Sequence, residues 1–280
     1  MLMSSSQPEF RSTGDDSRPH HVLHCEGVIC QTYEQELIGE EPLLIRVEGK
    51  PYSVVMRTPG EEIFHAAGFC LGEGLVDGPE DFAAIGCCDQ NHTNVATVTL
   101  QPERRRKVAP LLKRRGFISQ TSCGICGKEM IEDLHQILVP SKDQTSINMS
   151  QAMACVNKLT GHQRLYEKTR GSHAAMLLDS RVDVLAVAED VGRHNALDKA
   201  IGKVLMKGQL IEARFGVLSS RISYELVQKA ARAHLPILIA LSRPTALAVQ
   251  LGKTLNMTLA CTSKENGLFV YCGEERLQGG

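Results

Sequence analysis

The sequence contains no tryptophan, and aromatic residues make up only 4% of its 280 residues. Stacking platforms for single-stranded nucleic acid are therefore not expected. The formal net charge is -1 at pH 7, so there is no global basic field to attract nucleic acid or an anionic membrane. No run of 18 apolar residues occurs, so no membrane span is predicted. We expect neither nucleic acid nor a membrane as a partner.

The ten cysteines lack the spacing of a secreted disulfide scaffold, and residues 1–22 lack the apolar segment of a secretory signal. Residues 1–22 are predicted to be a disordered tail, and the thiols are predicted to be mostly free in a reducing, cytoplasmic compartment. Free cysteines beside apolar runs behave as small hydrophobic residues. We interpret six of them as core residues: Cys25, Cys30, Cys70, Cys155, Cys261 and Cys272.

Residues 23–120 have the pattern of a small α+β domain. The runs 43–47 and 52–56 predict a hairpin joined by the four-residue turn 48–51. A helix is predicted to follow, with Thr58 as its N-cap and Glu61 completing a capping box.

Residues 130–280 have the pattern of an α/β domain. Apolar runs at 182–188, 215–218, 236–241 and 257–261 alternate with segments of helical period. This alternation predicts βαβ units and a largely parallel sheet with right-handed crossovers.

Polar and basic residues follow each of these four predicted strands, so they should meet at the carboxyl edge of the sheet, where open α/β sheets bind ligands. Helix N-termini at such turns favour anions. A phosphate or pyrophosphate ligand is therefore predicted from the four turns together, although each turn taken alone is better explained by helix capping. His194 is either a proton carrier or a hydrogen-bonded residue that shapes its turn. Neither a P-loop nor a Rossmann glycine motif is present.

Residues 121–129 are predicted to be a mobile loop with the sequence TSCGICGKE. Its glycines permit sharp turns, and the adjacent Lys128 and a following helix lower a thiol pKa. No further ligands with zinc spacing are found, so no metal site is predicted. Cys123 and Cys126 are left as a thiol carrier or nucleophile, with a thiol-disulfide oxidoreductase as an alternative.

The chain resembles the FdhD family, the sulfurtransferase accessory proteins of formate dehydrogenase. The matching stretches are 41–43, 58–59, 68–69, 73–74, 122–127, 171–175, 189–199 and 220–229.

The resemblance implies a cytidine-deaminase-like C-terminal domain without the deaminase zinc ligands, and a homodimer. It also implies that a cysteine desulfurase passes sulfur to Cys123 as a persulfide, with Cys126 auxiliary, for delivery to the molybdenum of the bis(molybdopterin guanine dinucleotide) cofactor. A guanine-nucleotide-binding chaperone module is the alternative. The predicted cofactor-binding residues are Thr262, Ser263, Lys264, Glu265, Asn266 and Gly267, together with Arg193, His194, Ser220, Arg221 and Arg243.

Overall fold

The structure is a computed structural model that describes residues 14–87, 94–114, 138–263 and 267–278. No helix within these ranges is long and apolar enough to cross a membrane. The strands β1 to β14 are Ser17–Glu26, Ile29–Ile38, Glu41–Val47, Lys50–Arg57, Phe82–Cys87, Val95–Leu100, Ile147–Asn148, His173–Leu178, Val184–Asp190, Phe215–Arg221, Ile237–Ser242, Thr258–Thr262, Leu268–Cys272 and Leu277–Gln278. The helices α1 to α8 are Glu62–Gly72, Pro102–Lys107, Ala109–Arg114, Met149–Thr160, Arg164–Thr169, Arg193–Met206, Tyr224–Arg232 and Ala246–Thr254, and short 3-10 helices cover Pro79–Asp81, Leu210–Glu212 and Glu274–Arg276.

Strands β1 and β2 form a separate antiparallel hairpin, which we call the arm (residues 17–38). Residues 17–22, which composition placed in a disordered tail, are therefore strand; residues 1–13 lie outside the described ranges. The predicted domain boundaries at residues 23, 121 and 130 stay predictions.

A four-stranded sheet has the order β4-β3-β6-β5. The predicted β3–β4 hairpin is confirmed, but its turn is only two residues long. Glu48 and Gly49 make this tight turn with φ of 53° and 74°, a combination typical of two-residue hairpin turns.

The predicted capping box before α1 is wrong. The N-cap is Glu61, which is left-handed and forms no side-chain cap. The Thr58 hydroxyl instead accepts a hydrogen bond from the amide of Val191 at 3.0 Å.

A six-stranded sheet has the order β13-β12-β11-β10-β8-β9. Strands β10, β11 and β12 are mutually parallel, as predicted. Strand β8 is antiparallel to both β9 and β10, so β9 runs in the same direction as β10. The carboxyl ends of β9, β10, β11 and β12 consequently lie at one edge of the sheet, which we call the carboxyl edge.

Helices cover both faces of this sheet. Successive side chains of each strand point to opposite faces, and they pack into two separate apolar clusters. In β8, Ala174 and Met176 belong to the cluster that includes Cys155 of α4. Ala175 and Leu177 point into the other cluster, which also contains the cores of α6 to α8 and of the four-stranded sheet. The two halves of the chain thus share one large core.

Helices α1 and α6 pack backbone to backbone across this shared core. A Cβ added at Gly68 would lie 1.9 Å from the Asp198 carbonyl oxygen, and one added at Gly202 would lie 1.8 Å from the Phe64 carbonyl oxygen. Both contacts are shorter than any side chain tolerates. Glycine is therefore required at both positions for the helices to approach this closely.

The cysteine predictions divide into two groups. Cys70, Cys155, Cys261 and Cys272 are buried free thiols, as predicted. The interpretation of Cys25 and Cys30 as core residues is wrong: both are exposed near the tip of the arm, where there is no core, and they form a disulfide.

Replacement Gly202→Ala is predicted to lower the free energy of unfolding by about 1–3 kcal/mol, because the methyl group forces α1 and α6 apart. Chemical denaturation monitored by circular dichroism measures this. Gly86→Ala is the control, since a Cβ there meets nothing within 4 Å. Equal stability of the two variants would contradict the close packing of the helices.

Candidate anion-binding site at the carboxyl edge

The predicted binding residues that the structure describes do lie at the carboxyl edge. Arg193 is the first residue of α6, directly after β9, and Arg243 follows β11. Thr262 ends β12.

Ser220 and Arg221 are the last two residues of β10 rather than part of the turn after it. Ser263 and Gly267 lie close together, and the Ser263 amide donates to the Gly267 carbonyl at 2.8 Å. Lys264, Glu265 and Asn266 lie outside the described residues, as do Cys123 and Cys126.

Three arginines give this edge its positive charge. Within the described part of the chain, Arg193, Arg221 and Arg243 form no ion pair. The buried Nε of Arg193 has no acceptor among the described residues. Arg243 lies 5.8 Å from the centroid of the Phe269 ring, an exposed cation–π contact. These guanidinium groups can therefore bind an anion without first breaking an ion pair to the described residues.

Helix N-termini add to this potential. Helices α6 and α7 begin here without a side-chain cap, whereas Thr245 caps α8 by accepting from the amide of Ala248 at 3.2 Å. Uncapped N-terminal amides and the helix dipole favour an anion. The Ser220 hydroxyl donates to the Arg221 carbonyl at 3.1 Å, so its hydrogen already has an acceptor within the protein.

His194 connects two of these helices. Its Nε2 lies 2.9 Å from a Glu225 carboxylate oxygen and 3.2 Å from the Ser223 hydroxyl. The hydrogen bond from His194 is the main cause that lowers the pKa of Glu225 below its usual value. Of the two interpretations of His194, this geometry supports the hydrogen-bonded residue that shapes the edge.

His173 belongs to the same edge, although strand-end reasoning missed it. It starts β8, which runs antiparallel, and it pairs with Asp190 at the end of β9. Burial lowers the pKa of His173, and the positive charge of Arg193 lowers it further. The lowered pKa favours the neutral form of the His173 imidazole at neutral pH. Its place in the matching stretch 171–175 was the signal that could have found it.

The stretch 189–199 has a second, inward-facing role. Asp190 is fully buried, and its Oδ2 lies 2.8 Å from Nζ of Lys199 and accepts from the amide of Thr58 at 3.0 Å. Its Oδ1 accepts from Nδ2 of Asn195 at 2.8 Å and from the amide of Gly192 at 2.9 Å. Lys199 also donates to the Thr58 carbonyl at 2.8 Å. This network, which we call the buried joint, ties the end of β9 and the start of α6 to the end of β4.

A second buried pair lies nearby, where both carboxylate oxygens of Asp198 accept from Nζ of Lys229 at 2.8 Å. His65 is completely buried close to these groups. Burial lowers its pKa well below the usual range, and the charges of Lys199 and Lys229 lower it further, so it stays neutral.

A cavity of about 740 Å³ lies elsewhere, at the amino ends of the strands, where residues such as Leu205, Arg214, His234 and Met257 line it. It is separate from the carboxyl edge. Within the described ranges, no group of three or more His, Cys, Asp or Glu residues could hold a metal ion.

Comparison with known proteins relates this arrangement to one family. The model of the FdhD/NarQ family matches residues 38–278. The chain belongs to the FdhD/NarQ family. Among curated relatives of this family member, the sulfur carrier protein FdhD of Mycolicibacterium paratuberculosis is 36% identical over 252 residues, covering 87% of this chain and 92% of that protein. The sulfur carrier protein FdhD of Xanthomonas euvesicatoria is 32% identical over 275 residues, and the match covers 98% of this chain and 97% of that protein.

A solved structure has the same fold. It is the crystal structure of a protein from Desulfotalea psychrophila assigned as a formate dehydrogenase accessory protein, with a TM-score of 0.75 and 21% sequence identity. The match covers 94% of this chain and 99% of that one. At this identity the likeness shows a shared mixed α/β fold.

Replacement Asp190→Ala is predicted to lower the free energy of unfolding by about 3–5 kcal/mol, because it leaves the buried ammonium of Lys199 without its carboxylate. The double variant Asp190→Ala/Lys199→Met should recover part of that loss, since it removes the uncompensated charge. Denaturant titration measures both. As a control, Lys107→Ala removes an exposed ion pair with Asp77 and should change little. A stability of Asp190→Ala equal to the control would mean that the buried joint is not needed for folding.

Proposed function

We propose that this protein is a sulfur carrier that serves a formate dehydrogenase. The single observation that supports this most is its membership of the FdhD/NarQ family, with curated sulfur carrier relatives over nearly the whole chain. Sulfur transfer requires a nucleophilic cysteine, and Cys123 in the CGICG sequence is our choice.

In this proposal the sulfur donor is a cysteine desulfurase that bears a persulfide. The Cys123 thiolate attacks the terminal sulfur of that persulfide, the sulfur–sulfur bond breaks, and the desulfurase cysteine leaves as a thiolate. Cys123 then holds the persulfide. On delivery the terminal sulfur passes to reduced molybdenum, the sulfur–sulfur bond breaks, and Cys123 leaves as a thiolate. The metal supplies the two electrons that bring this sulfur to the sulfido level, as Mo(IV) becomes Mo(VI). Cys126 has an auxiliary role, because one persulfide requires only one cysteine sulfur.

The substrate that receives the sulfur is the molybdenum bis(molybdopterin guanine dinucleotide) cofactor, and we place it at the carboxyl edge. The two pyrophosphate groups of this cofactor are negatively charged, and cations and helix N-termini are the groups that bind such anions. Arg193, Arg221 and Arg243 and the starts of α6 and α7 supply these, and the buried Nε of Arg193 lacks an acceptor among the described residues. Charge-assisted hydrogen bonds from guanidinium groups suit phosphate geometry.

Three further features belong to the proposal. A cytidine-deaminase-like C-terminal domain is supported by the mixed six-stranded sheet with helices on both faces. A homodimer is implied by the resemblance, and a cytoplasmic location is the expectation from the cysteine spacing and the N-terminal composition.

A guanine-nucleotide-binding chaperone module is the second candidate, favoured by the arginines of the carboxyl edge. It needs no sulfur on Cys123, and the cysteine variants below separate it from a carrier. A thiol-disulfide oxidoreductase would instead need Cys123 and Cys126 equally.

Replacement Cys123→Ala is predicted to abolish maturation of a co-expressed formate dehydrogenase, because the variant lacks the cysteine that carries the persulfide. Enzyme activity and sulfido content of the purified dehydrogenase measure this. Cys126→Ala is the matched control and should reduce maturation less. Normal maturation with Cys123→Ala would refute the carrier role, and an equal loss for Cys126→Ala would favour the oxidoreductase.

Replacements Arg193→Ala and Arg221→Ala are each predicted to weaken GDP binding about tenfold or more, since a well-formed charge-assisted contact contributes about 1.5–3 kcal/mol. Titration calorimetry gives the dissociation constants. Lys207→Ala is the control: this exposed lysine follows α6 at the opposite end from Arg193. If the control weakens binding as much as the arginine variants, the carboxyl edge is not the site.

A further inference from the structure

The arm is a two-stranded hairpin with few attachments to the rest of the protein. Near its base, Lys168 of α5 donates to the Ser17 hydroxyl at 2.7 Å and lies 3.4 Å from the Glu36 carboxylate. The side chain of Ile38 lies against Gly171. Toward the tip, Leu23, Val28 and Ile29 are 67%, 99% and 65% exposed. Changes at the tip can therefore occur without disturbing the shared core.

Two cysteines face each other at that tip. The strand register places Cys25 directly opposite Cys30, one pair before the turn, and their sulfurs are bonded. Both residues are exposed. In contrast, the buried thiols are protected from reaction: burial raises the pKa of Cys155 to about 11 and raises that of Cys70 even further.

We propose that Cys25 and Cys30 form a reversible redox site, and that their oxidation state controls the order of the apolar tip. Exposed disulfides are the ones that thiols in solution can reach and reduce. Because the ladder from Ser17↔Ile38 to His24↔Gln31 holds the two strands in register, the thiols stay opposite each other after reduction and can close again.

The chemistry requires a dithiol reductant and, for the reverse step, a disulfide oxidant. A thiolate of the reductant attacks one cysteine sulfur, the bond between Cys25 and Cys30 breaks, and the other cysteine leaves as a thiolate. The second thiol of the reductant then attacks the mixed disulfide. Two electrons and two protons have passed to Cys25 and Cys30, and the reductant has become a disulfide.

The consequence is confined to the tip. The disulfide closes a loop of four residues, 26–29, which contains Val28 and Ile29. Breaking it leaves this loop held only by the last backbone pair, Glu26 with Ile29, so that the exposed apolar residues are fixed less firmly. The sulfur carrier role does not depend on this site, and the site does not depend on that role.

The test uses the purified full-length chain without denaturant. After dithiothreitol, alkylation with iodoacetamide and peptide mass spectrometry should find alkyl groups on Cys25 and Cys30. After oxidised glutathione both should be protected again. Cys70, Cys155, Cys261 and Cys272 should stay unmodified throughout, because they are buried.

Hydrogen exchange on the same samples tests the effect on order. Amides of residues 24–31 should exchange severalfold faster after reduction, whereas those of β10 should not change. The double variant Cys25→Ser/Cys30→Ser should behave like the reduced protein with or without oxidant. The proposal would be overturned by a disulfide that dithiothreitol reduces only in denaturant. It would also be overturned if iodoacetamide still alkylated Cys25 and Cys30 after treatment with oxidised glutathione, or if hydrogen exchange were equal in both states.

Discussion

The buried ion pair of Asp190 and Lys199 is the interaction on which the arrangement of the site depends. Both residues are inaccessible to water, and together they satisfy the amide and the carbonyl of Thr58. A buried pair of charges is costly to desolvate, so it contributes geometry more than net stability. Here it sets where β9 ends and α6 begins, and therefore where Arg193 and His194 stand at the carboxyl edge.

One short stretch of sequence accordingly performs two tasks. In residues 189–199, Asp190, Asn195 and Lys199 face inward to hold the two halves of the chain together. Arg193 and His194 face the edge, where a charged ligand would bind. The close contact of α1 and α6 through Gly68 and Gly202 supports the same orientation from the other side of the core. The surface charges of the site are thus positioned by buried contacts between residues that are far apart in the chain.

Local sequence patterns predicted much of the C-terminal sheet, because alternating apolar runs and helical periods depend on neighbouring residues. Strands β9 to β12, their helices and the edge at which Arg221 and Arg243 lie were found in this way. Strand β8 was not predicted. Its antiparallel direction, which places His173 at the edge, is set by tertiary pairing and not by neighbouring residues. Thr58 was misassigned because the partner of its hydroxyl, the amide of Val191, is 133 residues away. Cys25 was assigned to a core that the arm does not have. Cys123 and Lys264 lie outside the described residues.

The most direct test of the sulfur carrier account is the mass of the peptide that contains Cys123. Purified protein would be incubated with a cysteine desulfurase and cysteine, digested without reductant and analysed by mass spectrometry. The account predicts one additional sulfur atom on Cys123, which dithiothreitol removes. A Cys123–Cys126 disulfide as the sole product, or sulfur on other cysteines with none on Cys123, would contradict it.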